Sequence, residues 1–169
     1  TIARNRSGGV ARALWGSEDG QVVGSDRFSA YAWIMARWRQ ICWAHLRRDF
    51  QAMIDRGGDG VATGSRLLSL SNELFHHWHR VRDGTLEWGP FQREMVRLRR
   101  EVKEALSEGS RCPCARTAAT CFEILKVEEG LWAISRVKGV EPTNNAVERA
   151  LRHAVIWLRL RGGPAGGNG

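Results

Sequence analysis

Lysine is nearly missing from this chain. Lys103, Lys126 and Lys138 are its lysines, although Lys+Arg together number 26 against 18 Asp+Glu, a formal net charge of +8. The positive charge is therefore carried by arginine. A planar guanidinium fork suits phosphate, so the partner this balance suggests first is a polyanion. An arginine-biased genome would raise the same count without any function, so the charge supports nucleic acid and does not prove it. Also missing is any run apolar and long enough to span a bilayer, or the apolar core of a signal peptide. No membrane partner is expected, and the cytoplasm is the expected compartment. Cysteine is sparse, with Cys42, Cys112, Cys114 and Cys121, which fit that compartment as free thiols. Cys112-Pro-Cys114 is tighter than the spacing of about two to four residues usual in zinc motifs, so a zinc site completed by Cys121 and Cys42 is disfavoured.

What is present is a chain of one-domain size, 169 residues, large enough to bury a core. Val22-Val-Gly-Ser-Asp26 is a compact apolar run ending in an acid, a buried strand by its composition. Gly8 to Trp15 and Tyr31 to Trp38 suggest short helices. Gln40 to His45 suggests a second short strand, feeding a helix from Leu46 to Asp55 that stops at Gly57-Gly58. From Val61 to about Val137 the pattern is helical: Leu67, Leu68, Leu70, Leu74, Phe75 and Trp78 recur at helical spacing. Gly84 and Gly89-Pro90 punctuate, Phe91 to Leu106 forms another amphipathic helix, and Ala118 to Val137 is apolar at helical spacing. The expected content is mostly α, with two or three short strands. The final Gly162-Gly-Pro-Ala-Gly-Gly-Asn-Gly169 offers no apolar anchor to offset its ordering entropy and is expected to be disordered.

Chemistry concentrates in Val140-Glu-Pro-Thr-Asn-Asn-Ala-Val-Glu-Arg-Ala-Leu-Arg152. The proline and two asparagines start a helix, expected from about Asn145 to Trp157. Glu148 falls in its first turns, with Arg149 and Arg152 beside it. One reading is a capping box, Asn145 as N-cap and Glu148 as its partner three residues on. The other is a carboxylate held among arginines to present a divalent metal to a phosphodiester. Asp26, at the end of the early apolar run, favours the second, because two carboxylates converging from a strand end and a helix suit two-metal phosphoryl chemistry. Mg²⁺ takes oxygen ligands and keeps waters, so a few carboxylates suffice. The run His76-His77-Trp-His79 suggests helix packing with exposed imidazoles rather than a metal site.

Four blocks in order resemble the transposases of bacterial insertion-sequence family sixty-six. They are Val23-Gly-Ser-Asp-Arg-Phe-Ser-Ala-Tyr31, Arg39-Gln-Ile-Cys-Trp-Ala-His-Leu-Arg-Arg-Asp-Phe50, Leu131-Trp132, and Gly139 to Arg152. The resemblance implies an Asp-Asp-Glu triad on a ribonuclease-H-like α/β fold, Mg²⁺ with Mn²⁺ as a substitute, and DNA as partner, both terminal inverted repeats and target. It makes Asp26 the second catalytic acid and Glu148 the third. Arg149 and Arg152 would face phosphate, and Asn144 or Asn145 would shape the helix start. A nucleoid-associated location and a homodimer are further expectations from the family. The family's first aspartate has no counterpart here, since the acids before Asp26 are Glu18 and Asp19 in a polar turn. After Trp157 the sequence departs from the family pattern as if translated out of frame. The expectation is a partial ribonuclease-H-like core over 1–45, a helical insertion over 46–137, a catalytic helix region over 138–160 and a disordered tail over 161–169. As a fragment it would be inactive in metal-dependent end cleavage and strand transfer. The rival is a non-catalytic, basic nucleic-acid-binding remnant.

Overall fold

The computed structural model describes residues 22–25 and 35–143. These are mostly helical. Strand β1 (Val23–Ser25) pairs in parallel with β2 (Arg39–Ile41), in the register Val23 to Arg39, Gly24 to Gln40 and Ser25 to Ile41. Parallel neighbours need a connection of about a dozen residues or more, and residues 26–38 supply it. Of the helix expected over Tyr31 to Trp38, the described part is a single 3-10 turn, Ala36–Trp38. The remainder lies outside the described residues, as do the segment from Gly8 to Trp15, the expected helix from Asn145 to Trp157 and the glycine-rich tail.

Three long helices follow and build the core. Helix α1 (Trp43–Asp55) buries Trp43, Leu46, Phe50 and Met53, a single stripe at helical spacing. It begins at Trp43 rather than Leu46, so β2 is shorter than the expected Gln40 to His45 strand. Gly57 and Gly58, both at positive φ (70° and 65°), turn the chain where a side chain would be strained. Helix α2 (Gly60–Arg82) opens on small residues, and Gly64 lets it lie against α1. A Cβ there would come within 2.7 Å of the Phe50 carbonyl oxygen and 2.8 Å of Met53 Cβ. Helix α3 (Trp88–Gly109) returns antiparallel: Arg66 near the start of α2 pairs with Glu108 near the end of α3, and Glu73 farther along meets Arg97. The expected break at Gly89-Pro90 does not occur. Pro90 sits in the first turn of α3, where its missing N–H has no intrahelical acceptor to lose.

The stretch from Ala118 to Val137, apolar at helical spacing, belongs to three elements: α4 (Ala115–Leu125), a 3-10 turn (Glu128–Leu131) and a short α5 (Ala133–Arg136). Leu131, Trp132, Ala133 and Ile134 are all buried in succession, so their apolar continuity reflects burial on every side and not one helix face. Arg99 grips buried Glu128 through two bonds of 2.9 Å, tying the 3-10 turn to α3. A continuous core runs from Ile41 and Trp43 through Phe50, Leu67, Leu74, Met95 and Leu106 to Ile134.

Candidate functional site

The site is built around the carboxyl ends of the two strands. Beyond β2, Cys42 leads directly into α1, and the Trp43 backbone N–H donates to the carbonyl of Pro142 at 2.9 Å. Pro142 is buried. The segment entering the Asn144 to Arg152 motif is thereby pinned one turn from the end of β2. On the other strand, Ser25 lies opposite Ile41, and Asp26 is the next residue in the sequence. Neighbouring strands lie about 4.8 Å apart, so the segments leading to Asp26 and to Glu148 approach one edge of the sheet. Asp26, Asn144, Asn145, Glu148, Arg149 and Arg152 themselves lie outside the described residues.

Side chains of the second and third motif blocks lock this arrangement from below. The buried amide of Gln40 donates to the carbonyls of Ile41 and Leu131, both at 3.0 Å, and accepts the Ile134 N–H at 2.7 Å. The Trp43 indole N–H also donates to the Leu131 carbonyl, at 3.1 Å, and its ring meets Trp132 edge-on with centroids 5.5 Å apart. Gln40, Trp43, Leu131 and Trp132 are therefore structural: they hold α5 and the chain leading to Pro142 against β2. His45, in the first turn of α1, has a buried Nδ1 with no hydrogen-bond partner among the described residues.

An open groove of about 780 Å³ runs beside this edge, between α1 and α2. Ala44, Arg47, Arg48 and Gln51 line it from one face of α1; Leu68, Asn72, Phe75, His76 and His79 line it from one face of α2. Thr143 closes one end, immediately before the asparagine pair in sequence. No carboxylate lines it among the described residues. The Arg47 guanidinium donates to Asn72 Oδ1 (2.5 Å) and Ser71 Oγ (3.3 Å) and lies over the Phe75 ring, 5.3 Å from its centroid. Outside the groove, Arg66 pairs with Glu108, and Arg97 with Glu73, Glu94 and Glu101. The groove residues were not anticipated. Their signal was available in the consecutive arginines of the second block and in two histidines three apart.

Among the described residues, one cluster has metal-ligand spacing: Glu73, His77 and Glu94. The Arg97 guanidinium already bonds both of its carboxylates, so a cation would have to displace an ion pair. His77 packs here, half-buried, while His76 and His79 are exposed, the arrangement expected of a packed helix with solvent-facing imidazoles. The four cysteines form no common metal cluster. Cys114 is the N-cap of α4, where Thr117 holds its thiol below the usual range. Burial pushes the Cys121 thiol up to about 11.

A protein-family model described as "Transposase IS66 family" matches residues 1–161 of the chain, nearly its whole length. The matched span passes Trp157, where departure from the family pattern was expected, and ends before the glycine-rich run. No match was found among curated proteins or solved structures. No helix of the described residues is long and apolar enough to cross a membrane.

Proposed function

The chain belongs to the IS66 family of transposases, and from that premise we propose that it forms part of a DNA transposase catalytic domain with a ribonuclease-H-like core. Its task in that domain is metal-dependent cleavage at the element's ends and transfer of the freed 3′-hydroxyl to target DNA. The observation that carries this reading is the Trp43 N–H to Pro142 carbonyl bond beside the parallel β1–β2 pair. It supports a meeting of Asp26 and Glu148, since it ties the lead-in of one to the strand whose neighbour leads into the other.

Two carboxylates form a hard oxygen donor set that fits Mg²⁺, or Mn²⁺ in its place, with waters and phosphate oxygens completing the shell. Bound there, the metal would supply charge neutralisation on the phosphate and an activated water or 3′-hydroxyl. The protein's own residues orient the substrate. In this reading Asn144 and Asn145 would shape the helix start that presents Glu148, and Arg149 and Arg152 would offer guanidinium forks to phosphate oxygens. The sequence carries two of the triad's three carboxylates, so residues 1–169 alone are expected not to cut DNA.

The test is a nicking and joining assay on DNA bearing the element's inverted repeats, with Mg²⁺ or Mn²⁺. Residues 1–169 should be inactive alone, and metal-dependent cutting by them would refute that incapacity. In a full-length family transposase carrying this segment, Asp26→Asn and Glu148→Gln should each abolish cutting while DNA binding persists. Unchanged cutting in either variant would leave the rival reading, a basic DNA-binding remnant.

A further inference from the structure

Among the described residues no metal-ligand cluster falls in the groove between α1 and α2, yet its chemistry is specific. We infer that it is a subsite for the DNA backbone flanking the scissile phosphate, with one base resting against the aromatic wall of α2. This rests on the transposase reading above and assigns a neighbouring stretch of the same substrate.

Four features point to a nucleic acid strand rather than a small anion or an acidic peptide. First, the groove's cations keep their charge. Arg47 is fixed by neutral partners, Asn72 and Ser71, and by the face of Phe75. Arg48 is exposed and bonds only the Ala44 carbonyl of its own helix, at 3.4 Å, with no carboxylate paired to it among the described residues. A guanidinium has five N–H donors, and the two bonds of Arg47 use a single nitrogen, leaving Nε and the other terminal nitrogen directed by a fixed ring stack. Such pre-set forks recognise phosphate at little ordering cost.

Second, the α2 wall interleaves these cations with π surfaces: Phe75, His76 and His79, of which Phe75 and His79 lie with centroids 6.3 Å apart. Cation beside flat ring is the combination that tracks a strand's backbone and stacks its bases. Third, a gap in the wall carries the Asn72 amide, whose oxygen accepts from Arg47 and whose nitrogen can donate to phosphate or a base edge; the Gln51 amide beside it already donates to Asp55 at 2.8 Å. Fourth, Thr143 lines the groove, and the Asn144 to Arg152 segment follows it directly in the sequence. A volume of about 780 Å³ falls within the roughly 300–1,000 Å³ of sites that hold a small ligand. It accommodates a short stretch of strand, not a duplex.

The experiment uses the whole chain, EDTA to exclude metal chemistry, and a fluorescein-labelled duplex with a 3′ single-stranded overhang. Anisotropy is followed across a salt series. Arg48→Gln, an exposed change that spares the fold, should weaken binding several-fold and reduce the slope of log K against log salt by about one phosphate contact. Arg47→Gln with Arg48→Gln should reduce it by about two. Arg100→Gln, an exposed arginine of α3, serves as the control for general basic charge and should do less. A 5-iodouracil placed in the overhang should photocrosslink to Phe75, His76 or His79. The inference is overturned if Arg48→Gln does no more than Arg100→Gln, or if the crosslink maps outside the groove. Failure of the catalytic reading looks different: in the full-length family transposase cutting would survive Asp26→Asn, while the groove variants still weakened binding.

Discussion

Replacing Gln40 by leucine removes an amide that makes three buried hydrogen bonds and inserts a side chain of similar size. The Leu131 carbonyl keeps its bond from the Trp43 indole, but the Ile134 N–H loses its acceptor inside the core. A buried polar group left unpaired costs about 1–3 kcal/mol, so the urea midpoint of Gln40→Leu should fall by roughly 1 M for a slope of about 1–3 kcal/mol per M. An unchanged midpoint would mean that Gln40 is not the clamp the geometry makes it. The cysteines give a second residue-level expectation. Thr117 holds the Cys114 thiol low, so its thiolate, the reactive form, is present at lower pH. Cys121, pushed up to about 11 by burial, stays protonated until far higher pH. Iodoacetamide at pH 8 should therefore label Cys114 well before Cys121, as read by peptide mass mapping. Equal rates would contradict both environments.

Two helices can approach closely only where side chains allow it, and Gly64 is where α1 and α2 do so. Alanine would gain about 1 kcal/mol of helix propensity, but its Cβ would meet the Phe50 carbonyl oxygen at 2.7 Å, a backbone atom that cannot rotate away. Overpacking costs about 1–3 kcal/mol, so the clash wins and Gly64→Ala should lower the melting temperature by several degrees. A rise would show that the helices slide apart freely. Such elements differ in how far the sequence discloses them. The stripes of α1, α2 and α3 were legible because one face is buried and the other wet. The division of 118–137 into three pieces was not, since buried residues on all sides carry no period. Pro90 misled because a proline in a first turn and a proline that breaks a helix look alike until the helix start is known. The register that sets Ser25 beside Ile41, and the bond from Trp43 to Pro142, join segments far apart in sequence and leave no local trace. The groove was half legible: its arginines lay in a motif block, but their convergence with His76 and His79 depends on how α1 packs on α2.

At the scale of the whole molecule, the fold pairs its first described strand along β2 and bonds Pro142 to Trp43, just beyond the carboxyl end of β2. Two acidic candidates then compete for a divalent ion: the proposed pair Asp26 and Glu148, and Glu73 with Glu94 on the helices. Charge decides between them. Arg97 bonds Glu73 and Glu94 directly, so a cation there would leave a guanidinium beside a metal, whereas Arg149 and Arg152 follow Glu148 along a segment suited to phosphate. Iron-directed cleavage distinguishes the two without requiring catalysis. Fe²⁺ bound in place of Mg²⁺ generates hydroxyl radicals that cut only the backbone close by. With ascorbate and peroxide, residues 1–169 should be cut near 26 and near 148, and also near Cys42 and Pro142, which share that end of the sheet. Excess Mg²⁺ should suppress every cut. Asp26→Asn should remove the distant cut near 148 as well as its own, because in the proposed site one ion serves both segments. Cuts clustered around Glu73 and Glu94 would instead move the metal to the helices and separate Asp26 from Glu148.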